Sequence, residues 1–501
     1  MYELTQDQSE FKNIFTDFMI DKVKTDLALI GGAGTGKTYL GTDIVAWLIE
    51  HSDRRIIFSA PTHKACRVIK YKLDAAGIKW QFKPRKTQIK EGHVIIDTTA
   101  ALLGVRMEID ENQTADQEHF KKVGSGSLDD YLGYSFSQST MPLLIIDEVS
   151  MLAQDDFFGL RDYVKGRAKI LCIGDDGQLP PVKKKSIDFK KDFGQAYELK
   201  SIVRQAADSA IIKLAWSVRD HDVKLTDELL VGSGIEKTDN IIEAFLDNLE
   251  MPVDDETERS VFISYTNATV DAIQDKACMK LYGHDRKHFK VGQLVLASRA
   301  VDKWNAKYRR VEKIAVQDQL RVVGFSRKED PMYGHEVMLK CVDDGDRIQK
   351  CFYLSGDKIE DKNHPFNKEH RRLQGIAEEY QRYYKELKPT LSNSKKDKEL
   401  LASVNAKRSS LWRAMFDHDN TVIYFQHPFS LTSHKVQGST YKKAYVLISD
   451  LLRYNRKSAY VAITRPSQTL VIPTIDGDIK QIVFKDKEDK YKVQMDMFGK
   501  P

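Results

Sequence analysis

The chain has 501 residues, too many for one hydrophobic core and enough for about three or four units. At 41% hydrophobic and 30% charged residues it has the balance of a globular protein; with no apolar run near the roughly 18 residues that cross a bilayer and no charged-then-apolar leader, the expectation is a cytoplasmic protein with no membrane partner. Five cysteines without a C-x-x-C pair argue against a zinc site or a disulfide framework, and a net charge of +5 is too modest to mark a nucleic-acid binder by itself.

The strand-like LALI (Leu27–Ile30) runs into GGAGTGKT (Gly31–Thr38) and then a helix-like segment to Glu50. That is the strand–loop–helix setting in which G-x-x-x-x-G-K-[ST] counts as a phosphate-binding loop. Gly32, Gly34 and Gly36 let backbone N–H groups close around phosphate oxygens, and the helix N-terminus favours the negative charge. Lys37 is expected to reach the β- and γ-phosphates of ATP, and Thr38 to hold Mg²⁺.

RRIIFSAPTHKA (Arg54–Ala65) and HVIIDTTAALLG (His93–Gly104) repeat the design of a strand ending in a polar loop that opens a helix. The polar stretch 105–140, with its glycine-serine run Gly124–Ser127, reads as an insertion on this first domain. Basic clusters at Lys83–Lys90, Lys183–Lys185 and Glu369–Arg372 are ordinary solvated faces unless a strand path runs along them.

In LLIIDEVSM (Leu143–Met151) four apolar residues end in Asp147 and Glu148, and burying an unpaired carboxylate at such a strand tip is costly without a use for it. Asp147 suits the second sphere of Mg²⁺, and Glu148 suits polarising an attacking water. GDDGQLPPV (Gly174–Val182) adds a third strand end, where Gln178 can bond both a γ-phosphate and the backbone of an adjoining domain. The three strand ends line one edge of a parallel sheet, where nucleotides bind.

A second strand–helix series begins near residue 200 and includes SVFISYTN (Ser260–Asn267). From about residue 291 short strand-like pieces (GQLVLAS, QLRVVGFS, HEVMLKCV, KCFYLS) predict a small barrel. Leu373, Ile376, Tyr380, Tyr383 and Leu387, then Leu401, Val404, Leu411 and Met415, predict two antiparallel helices. The α/β texture resumes at Asn420, and the end of the chain is charged.

Taken in order, these motifs resemble those of superfamily 1 helicases, in the 5′-to-3′ group that includes RecD and the phage Dda helicase, from about Leu4 to Pro466. The resemblance implies an α/β protein with two RecA-like parallel-sheet motor domains, 1–199 and 200–290 with 420–479. It places an SH3-like β-barrel with a helical tower at 291–419, a flexible tail at 480–501, and the strand-separating pin at 105–140, with Phe120 as its candidate wedge. LTQDQ (Leu4–Gln8) looks like the adenine-reading motif, with Gln8 as reader. APTHKA looks like the motif in which Thr62, His63 and Lys64 face DNA phosphates, and TTAALLG, from Thr98, like the next strand-contacting motif. IVRQ implies that Arg204 reaches the γ-phosphate, and SYTN that Tyr265 stacks on or near adenine. LTSHKVQGST implies DNA contact by His434 and Lys435 and phosphate contact by Gln437 and Gly438. YVAITR makes Arg465 an arginine finger.

The implied activity is an ATP- and Mg²⁺-dependent, monomeric DNA helicase that moves 5′ to 3′ on single-stranded DNA and opens forks in replication, recombination or repair, bacterial or virus-encoded. The alternative is an ATP-switched single-strand binder, or a protein-displacing translocase, without processive unwinding. QMDMF near the end resembles the Q-L-[SD]-L-F peptide of sliding-clamp partners, with Gln494 beside the pocket and Met497 and Phe498 filling it.

Overall fold

The computed structural model describes residues 4–82, 94–107, 120–122, 128, 131–132, 141–181, 184–203, 209–220, 232–305, 310–342, 348–392 and 394–474. Two compact units appear: 1–103 with 125–284 and 428–501, and 104–124 with 285–427.

The first unit holds two parallel sheets. Its strands are short, nearly unbroken apolar runs, as a sheet covered on both faces requires. Asp26–Gly31, Ile56–Ala60, Leu143–Ile146 and Lys169–Gly174 are buried along their whole lengths. In the seven-stranded sheet the order is Trp80–Phe82, Val94–Thr98, Ile56–Ala60, Leu143–Ile146, Lys169–Gly174, Asp26–Gly31 and Ala196–Leu199. Every neighbouring pair is parallel, with Ile146 opposite Cys172 and Ile30 opposite Gly174. All the strand ends therefore lie on one edge, and three of them carry Gly31–Thr38, Asp147–Glu148 and Asp175.

Threonine caps set where the following helices start. The Thr62 hydroxyl accepts from the Ala65 N–H to open His63–Ala75, and the Thr98 hydroxyl accepts from the Ala101 N–H to open Thr99–Leu102. Thr5 and Gln8 form a reciprocal capping box at the start of Gln6–Ile20. Phe11, Phe15, Leu40, Ile44, Phe58 and Ile69 fill the core between these helices and the sheet.

The second sheet runs Ile235–Thr238, Pro466–Pro473, Tyr441–Val446, Ser260–Ser264 and Ser430–Thr432, again entirely parallel. Helix Asn267–Tyr282 packs on it through Ile273 and Ala277, against Phe245, Phe262 and Tyr445.

In the second unit a six-stranded sheet runs Val422–Ile423, Ile348–Tyr353, Gly334–Cys341, Gln319–Asp330, Leu294–Ala297 and Phe425–Gln426. It is antiparallel except at the first pair, and among the described residues no ladder joins its two outer strands. Those outer strands are nonetheless one stretch of chain, separated only by Tyr424, so the segment 422–426 pairs with both ends of the sheet that stands where the barrel was expected. Val422–Ile423 and Phe425–Gln426 also correct the boundary at 420, because they pair here and the second parallel sheet resumes only at Ser430. A hairpin, Val301–Asn305 with Arg310–Ile314, has no counterpart in the sequence reading. Within 105–140 the described strands Val105–Met107 and Phe120–Lys122 pair antiparallel, and Phe120 opens the second of them.

The two expected helices are Pro365–Leu387 and Lys395–Asp419. In the first the buried stripe is rotated by one residue from the expected one, through Ala377, Gln381 and Tyr384 rather than Ile376, Tyr380 and Tyr383, whereas in the second Val404 and Met415 are buried as expected. The reason is polar: buried Arg408 donates to Gln381 Oε1 at 2.9 Å and lies 4.7 Å from the Tyr384 ring centroid, a pairing that apolar periodicity does not register. Among the described residues no helix is long and apolar enough to cross a membrane.

Phe58, 1% exposed in a central strand, is expected to contribute about 3–5 kcal/mol. Phe58→Ala should lower the urea midpoint of the first unfolding transition, followed by the fluorescence of Trp47 and Trp80 beside that core. An unchanged midpoint would contradict this packing.

Candidate active site

The phosphate-binding loop is shaped by its glycines. Gly36 has φ +76°, and a Cβ there would lie 2.6 Å from Gln8 Nε2; only glycine satisfies both demands. Lys37 begins the helix Lys37–His51. Its ammonium donates to the Gly31 and Gly32 carbonyls at 2.5 and 2.8 Å and stands 4.0 Å from Asp175 Oδ2.

Asp147 is buried, with its Oδ1 accepting from the Glu148 N–H at 2.9 Å. Glu148 takes a left-handed backbone at φ +53°, rare outside glycine, which turns the chain out of the strand into Val149–Met151. Desolvation raises the Asp147 carboxyl above its ordinary range, opposed mainly by Lys72. Desolvation and then Asp147 push Glu148 up to about 7, opposed by Arg465 and Lys37. Burial lowers the Lys72 ammonium, while Asp147 and Glu148 hold it up. A carboxylate desolvated beside the loop suits Mg²⁺, which takes few protein oxygens and leaves its other positions to phosphate and water.

Residues of the second parallel sheet close the site. Arg465 follows helix Arg456–Ile463 and donates through Nε to Val461 O, Nη1 to Ser439 O and Nη2 to Thr464 Oγ1, at 2.8, 3.0 and 2.7 Å. Burial lowers its pKa, and Glu148 is the chief influence raising it. Gln178 Oε1 accepts from Gln437 Nε2 at 2.9 Å and from Ser150 Oγ at 3.3 Å. The structure therefore joins Gln178 and Gln437, expected at phosphates, to each other. Gly438 sits just beyond at φ +77°.

Several expected contacts have other occupants. Gln8 Nε2 donates to Thr35 O at 2.9 Å and its Oε1 accepts from the Thr5 N–H at 3.0 Å, so this amide tethers the loop. The Tyr265 ring stacks on that of Tyr454, with centroids 4.6 Å apart and planes 8° apart. Lys64 donates to Glu256 Oε1 at 2.6 Å, and Glu256 also accepts from the Tyr441 hydroxyl at 3.0 Å. This salt bridge, with both side chains about nine-tenths covered or a little less, links the two sheets' loops. The Thr62 and Thr98 hydroxyls serve as caps, and His63 opens the helix after Thr62. His434 and Lys435 lie on Ser433–Val436; burial lowers the pKa of each, and Asp271 partly offsets it at Lys435.

Arg204 lies outside the described residues, as do Gln494, Met497 and Phe498. The sequence reading missed Lys72, Asp175, Trp216, Arg219, Glu256 and Tyr460. Asp175 and Tyr460 stood inside quoted motifs, whereas Trp216 and Arg219 lie on a helix, Ala210–Asp220, that carries no motif.

Residues 17–239, which include the phosphate loop, Asp147–Glu148 and Gln178, match a family model described as an AAA domain. Over 307 residues the chain is 27% identical to the ATP-dependent DNA helicase Dda of Enterobacteria phage T4, covering 59% of this chain and 61% of that one. Over 195 residues it is 28% identical to the RecBCD enzyme subunit RecD of Buchnera aphidicola, covering 37% and 28%. The alignments thus span 61% and 28% of these relatives' lengths. Among solved structures, the Pif1 helicase from Bacteroides in complex with ADP-AlF3 and single-stranded DNA aligns over 100% of this chain and 99% of that one, at 16% identity and a TM-score of 0.49.

A Glu148 that acts as the carboxylate loses function as it takes up a proton. With its pKa raised to about 7, ATP turnover as kcat/KM should rise with pH to a midpoint near neutrality and level off above it. Glu148→Gln should remove both the turnover and the titration; a flat profile from pH 6 to 8 in the native protein would contradict the role.

Proposed function

We propose that this chain, which is related to the superfamily 1 helicases of the Dda and RecD type, is an ATP-driven motor that moves 5′ to 3′ on single-stranded DNA and unwinds duplex. The observation that carries this reading is the meeting, at one phosphate-binding loop, of Lys37, Asp147 and Glu148 from the first parallel sheet with Tyr460 and Arg465 from the second.

Lys37 neutralises phosphate charge once it leaves the Gly31 and Gly32 carbonyls. Glu148 orients the attacking water and receives its proton, and its raised pKa suits it to do so near neutrality. Arg465 compensates charge that develops on the transferred phosphoryl group, a contribution on the order of 10³–10⁵ in rate for such arginines. Thr38 and Asp147 are the residues that would hold Mg²⁺, which would supply further charge compensation on the phosphates. Because the chemistry needs groups from both sheets, ATP favours their approach and hydrolysis relaxes it. Two sheets that grip one strand and change separation in each cycle move it.

The strand path runs over Thr62, His63, Lys64, Thr98, His434 and Lys435. A DNA phosphate arriving there competes with Glu256 for Lys64. Such contacts position the backbone without reading bases, so affinity falls with salt and varies little with sequence. The 105–140 insertion serves as the wedge at forks. Action in the cytoplasm of a bacterium or of a virus-infected bacterial host, and docking of the tail on a sliding clamp through Gln494, Met497 and Phe498, rest on sequence alone; a peptide of residues 494–501 should bind the clamp, and failure to bind any host or viral clamp removes that part.

Matched duplexes with a 5′ or a 3′ single-stranded tail test reaction and polarity together. Unwinding only of the 5′-tailed substrate, with ATPase stimulated by single-stranded DNA and lost in Lys37→Ala, is the expected result. Unwinding of the 3′-tailed duplex reverses the polarity, stimulated ATPase without strand separation leaves a translocase or switch, and hydrolysis by Lys37→Ala ends the motor reading.

A further inference from the structure

Ala33, the third residue of the phosphate-binding loop, has both of its backbone polar groups held by side chains from outside the loop. Its N–H donates to the Tyr460 hydroxyl at 2.7 Å, and its carbonyl accepts from Trp216 Nε1 at 2.9 Å. Tyr460 lies on Arg456–Ile463, the helix between two strands of the second parallel sheet, five residues before Arg465. Trp216 lies on Ala210–Asp220, which packs against that helix, and the Arg456 guanidinium bonds the Val218 carbonyl.

The Tyr460 hydroxyl does a second thing. It donates to Asp175 Oδ2 at 2.6 Å, while being 1% exposed and too buried to ionise at ordinary pH. Asp175 is equally buried and ends the strand Lys169–Gly174 of the first sheet. Its other oxygen accepts from the Gly177 N–H at 2.9 Å and faces Arg219 Nε at 3.7 Å. Arg219, stacked over Trp216 and paired with Asp176 and Glu198, fixes the frame around it. Asp175 Oδ2 is the carboxylate oxygen that stands 4.0 Å from the Lys37 ammonium.

We propose that Tyr460 is a positioning residue for hydrolysis: one hydroxyl ties Asp175 and the Ala33 amide to the helix that leads into Arg465, so the arginine's approach and the position of Lys37 are set together. The inference rests on the motor reading above and deepens it. The hydroxyl occupies a lone pair of Asp175 Oδ2, which weakens that oxygen's pull on Lys37 and leaves the ammonium to phosphate. Without the hydroxyl, Asp175 holds Lys37 more strongly, and the helix carrying Arg465 loses its polar anchor on the loop. The phosphate-binding amides beyond Ala33 stay in place, so ground-state binding survives.

The test is steady-state ATPase with saturating single-stranded DNA for the wild type, Tyr460→Phe, Asp175→Asn and the double variant. Tyr460→Phe keeps the ring and should lower kcat about tenfold with KM for ATP changed less than about threefold. Because both changes break one unit, the double variant should be no slower than the slower single one. Wild-type kcat in Tyr460→Phe, or single effects that multiply, overturns the proposal. So does a parallel loss of kcat, ATP affinity and thermal midpoint, which marks a packing role. Asp175→Asn preserves size and one acceptor oxygen, and its own split of kcat from KM decides the matter if Tyr460→Phe is not recovered folded. Failure of the motor reading looks different: the wild type itself then shows no DNA-stimulated turnover.

Discussion

Two adjacent carboxylates taken out of water at the end of a buried strand cannot both carry charge unless cations are brought to them, and the first unit is arranged around that requirement. Asp147 and Glu148 emerge from Leu143–Ile146, whose four residues are buried. Desolvation raises both, and Asp147 raises the cost of ionising Glu148 further. Lys72 and Lys37 from the same half oppose this, and Arg465 comes from the second sheet, just before Pro466–Pro473. A single-sheet domain supplies only the first two cations. The third arrives only when the second sheet is adjacent, which is how an electrostatic need at one strand tip becomes a dependence on domain arrangement.

The backbone makes this geometry available at little sequence expense. A parallel sheet brings Gly31–Thr38, Asp147–Glu148 and Asp175 to one edge because every strand points the same way. The special conformations fall where the chain must leave that edge. Gly36 turns with φ +76°, and Glu148 accepts a left-handed backbone that a non-glycine residue resists. Such strain, at a residue whose side chain is also costly to bury, identifies Glu148 on two independent physical grounds.

The motifs at the strand ends were legible because each is local: a strand, a turn and a helix start within a dozen residues. The two parallel sheets and the helical pair were legible for the same reason, through runs such as Leu143–Ile146 and the spacing that includes Val404 and Met415. What escaped is non-local or polar. Trp216 and Ala33 are 183 positions apart, and no periodicity links them. The buried face of the first tower helix was misjudged by one residue because Gln381 occupies a core position opposite Arg408. Lys64 and Gln437 were expected at DNA and phosphate, and Gln178 at a γ-phosphate and the backbone of an adjoining domain, whereas the structure pairs Lys64 with Glu256 and the two glutamines with each other.

That internal pairing bears on how the two sheets can separate. Lys64 with Glu256, Gln178 with Gln437 and Tyr460 with Asp175 all join the loops of the first sheet to those of the second through polar atoms. Apolar packing resists separation in proportion to the area exposed, so it makes two bodies one. A hydrogen bond or ion pair can instead be exchanged for water, a phosphate oxygen or a nucleic-acid backbone, at a small net difference in free energy. Each of these three contacts has such an exchange partner among the groups the motor reading brings to it: strand phosphate for Lys64, and the γ-phosphate for the neighbourhood of Gln178 and of Asp175 with Lys37. The contacts between the sheets are therefore a set of replaceable bonds, and on the proposed motor reading the ligands that replace them are the ones whose arrival and departure drive the cycle.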